Sequence, residues 1–201
     1  MKDGRIHMSN VSTLGIDLAK NVFQLHGTDS KGKAVLKKRL SRNKLLEYLA
    51  NMKPCLIGIE ACAGAHDWAR RFTAMGHTVK IMAPQFVKPY IKSNKNDAND
   101  AAGIAEAVTR PDMKFVPVKT QAQQDSLLIH RAREMILKQR TGQANQIRGL
   151  LTEYGIVMKQ GIAVVRTLPT VLDQHKQELG EKAFAIFTHL HEQFKQLDTM
   201  A

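Results

Sequence analysis

The sequence predicts an α/β domain, with helices flanking a mixed β-sheet, followed by a long helical extension. Three observations support this fold class. Three strand patterns follow one another within residues 11–41, separated only by short turn signals. From residue 42 to residue 110, helix and strand patterns alternate. After residue 120 no strand pattern is convincing, and apolar residues recur at three- and four-residue steps, as in amphipathic helices.

The first three predicted strands form a series of hairpins. Residues 11–19 are mostly apolar and predict a buried strand, whereas residues 21–29 alternate apolar and polar side chains and predict a half-exposed strand. The cluster Asp29–Gly32 is typical of a hairpin turn. Residues 33–41 then predict a third strand with a basic outer face.

The middle of the chain alternates between helices and strands. Ser41 is placed to cap the first helix, Pro54 ends it, and Gly76 closes the second helix. The expected elements are a helix over 42–52, a strand over 55–60, a helix over 63–76, a strand over 77–84, a short helical stretch over 84–90 and a helix over 97–110. Hairpins followed by alternating helices and strands give a mixed sheet covered on both faces, and the ribonuclease-H-like fold has this order of elements.

The helical extension begins with one long amphipathic helix. Residues 121–154 predict a helix about 45–50 Å long at 1.5 Å per residue, which Gly142 weakens at its middle. A loop is expected over 155–169. A second helix carries a stripe of Phe and Leu from Phe184 to Leu197, which predicts a helical core or an oligomer seam. The chain is expected to divide into an α/β domain and a coiled-coil-like extension, at 10–118 and 119–201.

The composition favours a polyanionic partner. With 30 Lys and Arg against 18 Asp and Glu, the 201-residue chain has a net charge of +12 and a pI near 9.9, and nucleic acid is the usual partner of so basic a protein. No apolar run approaches the ~20 residues that span a bilayer, and the first residues lack the apolar segment of a signal peptide. Cys55 and Cys62 match no zinc or disulfide pattern and are expected to be reduced thiols. We therefore expect a cytoplasmic protein with no membrane partner.

Most of the positive charge lies in the first half of the chain. Residues 1–100 hold 17 Lys or Arg and 8 Asp or Glu, a net charge of +9. The densest basic run, on the third predicted strand, either contacts phosphate or is a solvated face. For His66 the alternative is a histidine packed by Trp68 at a helix start. The candidate nucleic-acid contacts are Lys20, Lys37, Lys38, Arg39, His66 and Lys95.

Four carboxylates recur at the ends of the predicted elements. Asp17 lies in the first buried strand, Glu60 ends the strand after the first helix, and Asp97 and Asp100 share one face of the last helix. In the expected fold the two strands are neighbours and the helix packs over them, so the four side chains can converge. Considered alone, Asp17 could instead be a structural acid with its hydrogen bonds satisfied, and Glu60 could be a solvated residue at the end of a strand. Asp97 and Asp100 could instead be acids at the N-terminus of a helix that interact with the helix dipole.

Converging carboxylates repel one another unless a cation joins them, and Mg²⁺ prefers oxygen ligands. Two such ions ~3.5–4 Å apart can activate a nucleophile and stabilise the leaving oxygen of a phosphodiester. In so basic a chain, the four acids together predict a site for Mg²⁺, or for Mn²⁺, that acts on nucleic acid. A sugar kinase or actin-like ATPase is disfavoured because no glycine-rich phosphate loop follows the first strand.

Three short motifs surround these acids, namely Gly15–Lys20 (GIDLAK), Gly58–His66 (GIEACAGAH) and Lys95–Ala101 (KNDANDA). They resemble the DEDD-motif insertion-sequence transposases, a family that includes the Piv-type site-specific DNA invertases. The three motifs in order are much more specific than any one alone, and the similarity covers essentially the whole chain. The resemblance implies a RuvC-like N-terminal domain, the fold of the Holliday-junction resolvase. It also implies a catalytic and metal-binding tetrad of Asp17, Glu60, Asp97 and Asp100.

The resemblance further implies a bacterial DNA transposase or site-specific recombinase that is associated with the nucleoid when bound to DNA. A guide-like RNA of the element itself is a second expected ligand, and the helical extension is expected to form a homo-oligomer or to grip nucleic acid. Family members continue into a C-terminal domain with a GIG-type segment and a serine implicated as a nucleophile. The sequence matches neither feature, so we expect a truncated form.

Two alternatives stay open. One is a non-catalytic fragment that binds nucleic acid or dimerises. The other is a Holliday-junction-resolvase-like nuclease, which the long helical extension disfavours.

Overall fold

A six-stranded sheet forms the centre of the first compact unit, within the residues that the structure describes. The computed structural model describes residues 10–91 and 97–201, without the side chain of Asp97. The strands are β1 Thr13–Asp17, β2 Val22–Thr28, β3 Ala34–Ser41, β4 Leu56–Glu60, β5 Thr78–Met82 and β6 Phe115–Val116. They lie side by side in the order β3-β2-β1-β4-β5-β6.

The predicted mixed sheet is confirmed. Antiparallel hairpins join β1, β2 and β3, whereas β1, β4 and β5 are parallel neighbours. This is the ribonuclease-H-like arrangement that the order of elements predicted. The short β6, which pairs antiparallel with β5, was not predicted because two residues are too few for a periodic pattern.

Helices cover both faces of the sheet, as the sequence predicted. They are α1 Arg42–Ala50, α2 Ala65–Ala74, α3 Pro84–Val87, a 3-10 turn Lys88–Tyr90 and α4 Asp97–Ala107. Helices α1 and α2 share one core with Leu14 and Ile16 of β1. Because successive strand residues point to opposite faces, Gly15 between them faces the other side, where α4 packs.

Two glycines allow α4 to lie very close to the sheet. Gly15 and Gly58 are partners in register across β1 and β4. A Cβ atom on Gly15 would lie 2.2 Å from the carbonyl oxygen of Ala101, and one on Gly58 would lie 2.8 Å from Cβ of Val108. Neither position has room for a side chain, so the helix rests directly on the two strands.

Turn and cap residues end the elements close to where the sequence predicts. Asp29 Oδ1 accepts hydrogen bonds from the amides of Lys31 and Lys33, both at 2.9 Å, which closes the hairpin turn. Gly76 has a φ of +93° just after α2, as expected of a residue that closes a helix. Ser41 occupies the N-cap of α1, but its side chain makes no capping hydrogen bond.

The chain divides after Thr120, and the second compact unit is helical. Its helices are α5 Gln121–Thr152, α6 Ile162–Val165, α7 Leu168–Gln174 and α8 Glu181–Met200. Helix α5 runs for 32 residues, and Gly142 does not interrupt it. The expected loop over 155–169 is partly helical, because α6 and the start of α7 bury Val165 and Leu168 in the core of this unit.

The core of the second unit lies between the second half of α5 and helix α8. Ile147 and Leu151 of α5 pack with Phe187 and Phe194 of α8, so the predicted Phe and Leu stripe belongs in part to the core. The first half of α5 instead carries exposed apolar residues. They are Leu128, Ile129 and Met135, with exposed fractions of 66%, 68% and 55%. In the described part of the chain, no helix combines the length and the apolar character needed to cross a bilayer.

Candidate active site

Two acidic residues occupy the adjacent ends of two parallel strands. Asp17 is the last residue of β1 and Glu60 is the last residue of β4. The residues just before them, Ile16 and Ile59, are partners in register. Since parallel neighbours lie about 4.8 Å apart, the sheet sets the two carboxylates side by side at one edge.

Both carboxylates lie on the face of the sheet that α4 covers. Each follows by two residues a glycine against which α4 packs, and residues two apart in a strand share a face. Asp100 lies in the first turn of α4, immediately before Ala101, whose carbonyl oxygen lies over Gly15. Asp97 is the first residue of α4, and its side chain lies outside the described part of the structure.

The charges of three of these acids act on one another. Burial raises the pKa of Glu60 above its ordinary value, and the negative charges of Asp17 and Asp100 raise it further. Like charges produce this effect only when they lie close together with little solvent between them. The fold therefore brings Asp17, Glu60 and Asp100 into one electrostatic cluster, and all three side chains remain half-exposed.

The cluster has the chemistry of a site for a hard divalent cation. Its donors are carboxylate oxygens, the ligands that Mg²⁺ and Mn²⁺ prefer. Their mutual repulsion, visible at Glu60, is what a bound cation would relieve. Among the described side chains, which do not include that of Asp97, no three His, Cys, Asp or Glu residues already form a metal-binding group. The chemistry of this donor set fits such an ion.

Cys62 is a neighbour of the cluster that the sequence analysis treated only as a reduced thiol. It is exposed and forms no disulfide. Partial loss of hydration raises the pKa of its thiol first, followed by the charges of Glu60 and Asp17. The sequence signal for this proximity was the position of Cys62 two residues after Glu60, the last residue of β4.

His66 lies among cations. The backbone amide of Lys119 donates a hydrogen bond to Nδ1 of His66 at 3.2 Å, and Nζ of Lys119 lies 3.1 Å from Nε2. Burial lowers the pKa of His66, and the charges of Lys119 and Arg70 lower it further. The imidazole is therefore neutral at pH 7 and joins a basic patch, and its role as a nucleic-acid contact stays a prediction.

The basic run on β3 is exposed, and its residues alternate between the two faces of the sheet. Lys37 shares a cleft with residues of α4, whereas Nζ of Lys38 lies 4.2 Å from the ring centre of Tyr48 in α1. Arg39 is in register with Gln24, which in turn is opposite Asp17. Two of the three predicted contacts, Lys37 and Arg39, thus lie on the carboxylate face.

The remaining predicted contacts lie near the same edge or outside the described residues. Lys20 is exposed, three residues after Asp17. Lys95 lies outside the described residues. Neither observation tests a contact with nucleic acid, so the contacts of Lys20 and Lys95 with nucleic acid remain predictions.

With this geometry in place, comparison with known proteins defines the class of the chain. The family model DEDD_Tnp_IS110, described as Transposase, matches residues 14–156. The match covers more than half of the chain and includes all four acidic positions. The chain belongs to this family of transposases.

Curated relatives carry the same description. The chain is 44% identical over 187 residues to the transposase for insertion sequence element IS1328 of Yersinia enterocolitica, with 93% of the chain and 55% of the relative covered. It is 46% identical over 160 residues to the transposase for insertion sequence element IS1111A of Coxiella burnetii, with 80% and 44% covered. A probable family 20 transposase of Pseudomonas aeruginosa is 40% identical over 191 residues, with 94% and 56% covered. The chain therefore spans about half the length of the curated relatives it matches.

A solved structure also matches the chain. It is T. thermophilus RuvC in complex with a Holliday junction substrate, and it matches with a TM-score of 0.38 and 12% identity. The match covers 51% of this chain and 98% of the RuvC chain.

Proposed function

We propose that this chain carries the metal-dependent site with which a transposase acts on DNA phosphodiesters. Asp17, Glu60, Asp97 and Asp100 hold Mg²⁺, or Mn²⁺, in a domain that spans residues 10–118. The observation that carries the proposal is the position of Asp17 and Glu60 at the adjacent ends of β1 and β4, on the face that α4 covers with Asp100 in its first turn. The raised pKa of Glu60 agrees with this arrangement. Membership of the transposase family supports the choice of DNA as the substrate.

The sheet and α4 hold three of the proposed ligands on neighbouring elements. When bound, the divalent cation supplies Lewis acidity that polarises a phosphodiester and activates its attacker. Asp17 and Glu60 are fixed by the backbone ladder between β1 and β4, and Asp100 is fixed by the close packing of α4 on Gly15. Because the three acids sit on packed elements rather than on loops, only their side chains would have to adjust when an ion binds.

Cations at the carboxylate edge favour a polyanionic substrate. The negatively charged cluster would itself repel DNA, so positive charge must surround it. Lys37 and Arg39 on β3, exposed Lys20, and the patch of His66 with Lys119 supply groups that phosphates can contact. The net charge of +12 supplies the long-range attraction.

The proposal is tested by metal-dependent nicking of branched DNA. Asp17→Asn and Glu60→Gln each remove one charged ligand while nearly preserving shape, and each is expected to lower the rate by about 100-fold or more. Glu47→Gln, which changes an exposed acid of α1, is the matched control and should leave the rate unchanged. Equal rates for all four proteins, wild type included, would show that these acids do not act on the phosphodiester.

A second candidate function is a non-catalytic module that dimerises and binds nucleic acid. The exposed apolar residues in the first half of α5, Leu128, Ile129 and Met135, favour it, because such a face suits a homo-oligomer seam. The mass of the chain by light scattering is expected to correspond to a dimer, and L128E with M135E is expected to give a monomer. A monomeric wild type at high concentration would exclude this seam.

The remaining alternatives differ in their nucleic-acid substrate. A Holliday-junction-resolvase-like nuclease would nick a four-way junction in preference to other branched DNA, and a transposase site would not require the junction. An RNA of the element itself is the proposed second ligand, and it should compete with labelled DNA for the basic surface. Failure of RNA to compete would leave DNA as the sole proposed nucleic-acid partner.

A further inference from the structure

A cleft opens between α4 and the hairpin of β2 and β3, beside the carboxylate cluster. Its volume is about 590 Å³, within the usual range of ligand sites. Among the described residues, its lining includes none of the four acids of the proposed tetrad. Its polar and aromatic lining includes His26, Lys37, Tyr90, Asn99, Glu106 and Arg110.

The cleft carries an excess of positive charge. Lys37 and Arg110 are its two cations, and Glu106 is the carboxylate among the six residues just named. Arg110 is held in place, because its guanidinium donates a hydrogen bond to Glu106 and lies 5.3 Å from the ring centre of Tyr90. Lys37 is exposed and makes no ion pair with a carboxylate in the described part of the chain. The lining thus offers one fixed planar cation and one mobile ammonium group.

His26 adds neutral hydrogen-bonding groups to the cleft. Burial lowers its pKa, and the facing charge of Lys37 lowers it further, so the imidazole is neutral at pH 7. A neutral imidazole carries one donor and one acceptor. Together with the nearby amide of Asn99, it can bind the polar edge of a sugar or base rather than a further phosphate.

The strand register sets the separation, along the strand direction, between His26 of the cleft and Asp17 of the cluster. Gln24 is opposite Asp17, and His26 is opposite Gly15, two residues earlier in β1. Two residues of an antiparallel strand span about 7 Å. This is the reach of one nucleotide in an extended single strand. On the other wall, Asn99 of the cleft directly precedes Asp100 of the cluster in α4.

We propose that this cleft is a subsite for the nucleotide that adjoins the phosphodiester held at the carboxylates, in a single-stranded segment of DNA. Lys37 and Arg110 contact the phosphate of that nucleotide, and His26 and Asn99 contact its sugar or base. The inference rests on the proposed function for its orientation, since the adjoining phosphodiester is the one that the carboxylates would process.

Two exposed lysines in different parts of the first unit provide a matched test. Lys37 and Lys53 have the same charge and are both exposed, but Lys37 lines the cleft and Lys53 lies between α1 and β4, at the end of β4 opposite Glu60. Binding of a fluorescein-labelled single-stranded oligothymidylate is measured by anisotropy in EDTA, so that no metal is needed. Lys37→Glu is expected to weaken binding roughly tenfold and to reduce its salt dependence, whereas Lys53→Glu should have little effect.

A second variant tests the cavity itself rather than its charge. Ala102 lines the cleft, and Ala102→Phe fills part of it while the net charge stays the same. This variant is also expected to weaken binding several-fold, with an unchanged circular dichroism spectrum. Equal losses for Lys37→Glu and Lys53→Glu, or normal binding by Ala102→Phe, would overturn the subsite. A wild type that does not bind the oligonucleotide would overturn it too.

The two proposals fail in different ways. If wild type does not nick DNA with Mg²⁺ but the Lys37, Lys53 and Ala102 variants bind as expected, the proposed catalytic function fails and the nucleotide cleft stands. If nicking depends on Asp17 and Glu60 but the three variants bind like wild type, the catalytic function stands and the cleft proposal fails. When both hold, Lys37→Glu should raise KM for nicking with little change in kcat.

Discussion

Gly15 and Gly58 face each other across β1 and β4, and the backbone and side chains of α4 lie against both. This contact sets how α4 sits on the sheet, and α4 carries Asp100 in its first turn. The packing of two glycines therefore determines the position of one carboxylate of the proposed site.

Gly15→Ala is expected to destabilise the first unit by about 1–3 kcal/mol, because the added methyl group collides with the backbone of α4. Gly58→Ala should cost less, because its new contact of 2.8 Å with Cβ of Val108 is less severe than the 2.2 Å contact of a Gly15 methyl group with the carbonyl oxygen of Ala101. Urea unfolding of both variants measures the difference. A larger loss for Gly58→Ala would contradict this account of how α4 packs.

Gly142→Ala is expected to stabilise the second unit by about 0.5–1 kcal/mol, because glycine is a poor helix former in the middle of a helix. A methyl group there would meet no atom within 4 Å, and the same holds for Gly149, so Gly149→Ala should give a similar gain. Thermal unfolding followed by circular dichroism measures both. A loss of stability in either variant would show that α5 needs the glycine for close packing.

Glu60→Gln is expected to stabilise the metal-free protein at pH 7 by about 0.5 kcal/mol, a small gain because half-exposed charges are screened. The pKa of Glu60 is raised by folding, so the folded state binds its proton more tightly than the unfolded state does. Wild-type stability should therefore fall as pH rises from the ordinary value of 4.5 through the raised pKa. The variant should lack this decline.

Mg²⁺ provides the matching control for Glu60. Added Mg²⁺ should raise the melting temperature of wild type, because binding to the folded state alone stabilises it. The effect should be much smaller in Glu60→Gln. A similar shift in both proteins would show that the ion binds elsewhere.

His77→Leu is expected to destabilise the first unit by about 1–3 kcal/mol, because it leaves the buried amide of Cys55 without its partner and removes one of the hydrogen bonds to the carbonyl oxygen of Leu49. Nδ1 of His77 accepts a hydrogen bond from the amide of Cys55 at 3.2 Å, and Nε2 lies 3.2 Å from the carbonyl oxygen of Leu49. Cys55→Ala keeps both contacts and should cost clearly less. Denaturant unfolding compares the two, and equal costs would assign the effect to packing alone.

Asp198→Asn is expected to remove an acid-dependent part of the stability of the second unit. Asp198 accepts hydrogen bonds from Arg166 at 2.6 Å and from Arg140 at 3.0 Å. Both hydrogen bonds lower the pKa of Asp198, and the bond from Arg166 has the larger effect. The stabilisation is present above the ordinary value of 3.8 and is lost as pH falls through the lowered pKa. Acid titration of thermal stability should show this loss in wild type and not in Asp198→Asn.

The sequence predicted the sheet and most helices because their signals are local. Apolar runs, alternation and turn residues such as Asp29 and Gly76 mark elements without reference to the rest of the chain. The same signals failed at β6 and α6, since two- and four-residue elements form only when neighbouring elements offer a partner. The continuity of α5 through Gly142 likewise depends on the helix as a whole.

The candidate site was predictable only as far as the topology was. Asp17 and Glu60 could be placed together because neighbouring parallel strands end at one edge, and the structure places their strand ends side by side. The proximity of Cys62, the pairing of His66 with Lys119, and the cleft around His26 depend on how loops and α4 pack. No spacing along the chain encodes those contacts, so they could not be predicted from the sequence.

The docking of α4 completes both the fold of the first unit and the proposed set of ligands. Asp17 and Glu60 belong to strands that precede α4 in the sequence. Asp100 lies near them only when α4 packs against Gly15 and Gly58. A chain still emerging from the ribosome, with α4 not yet docked, would hold an incomplete set of ligands. Synthesis itself would thus delay any reactivity toward DNA until the first unit is fully formed.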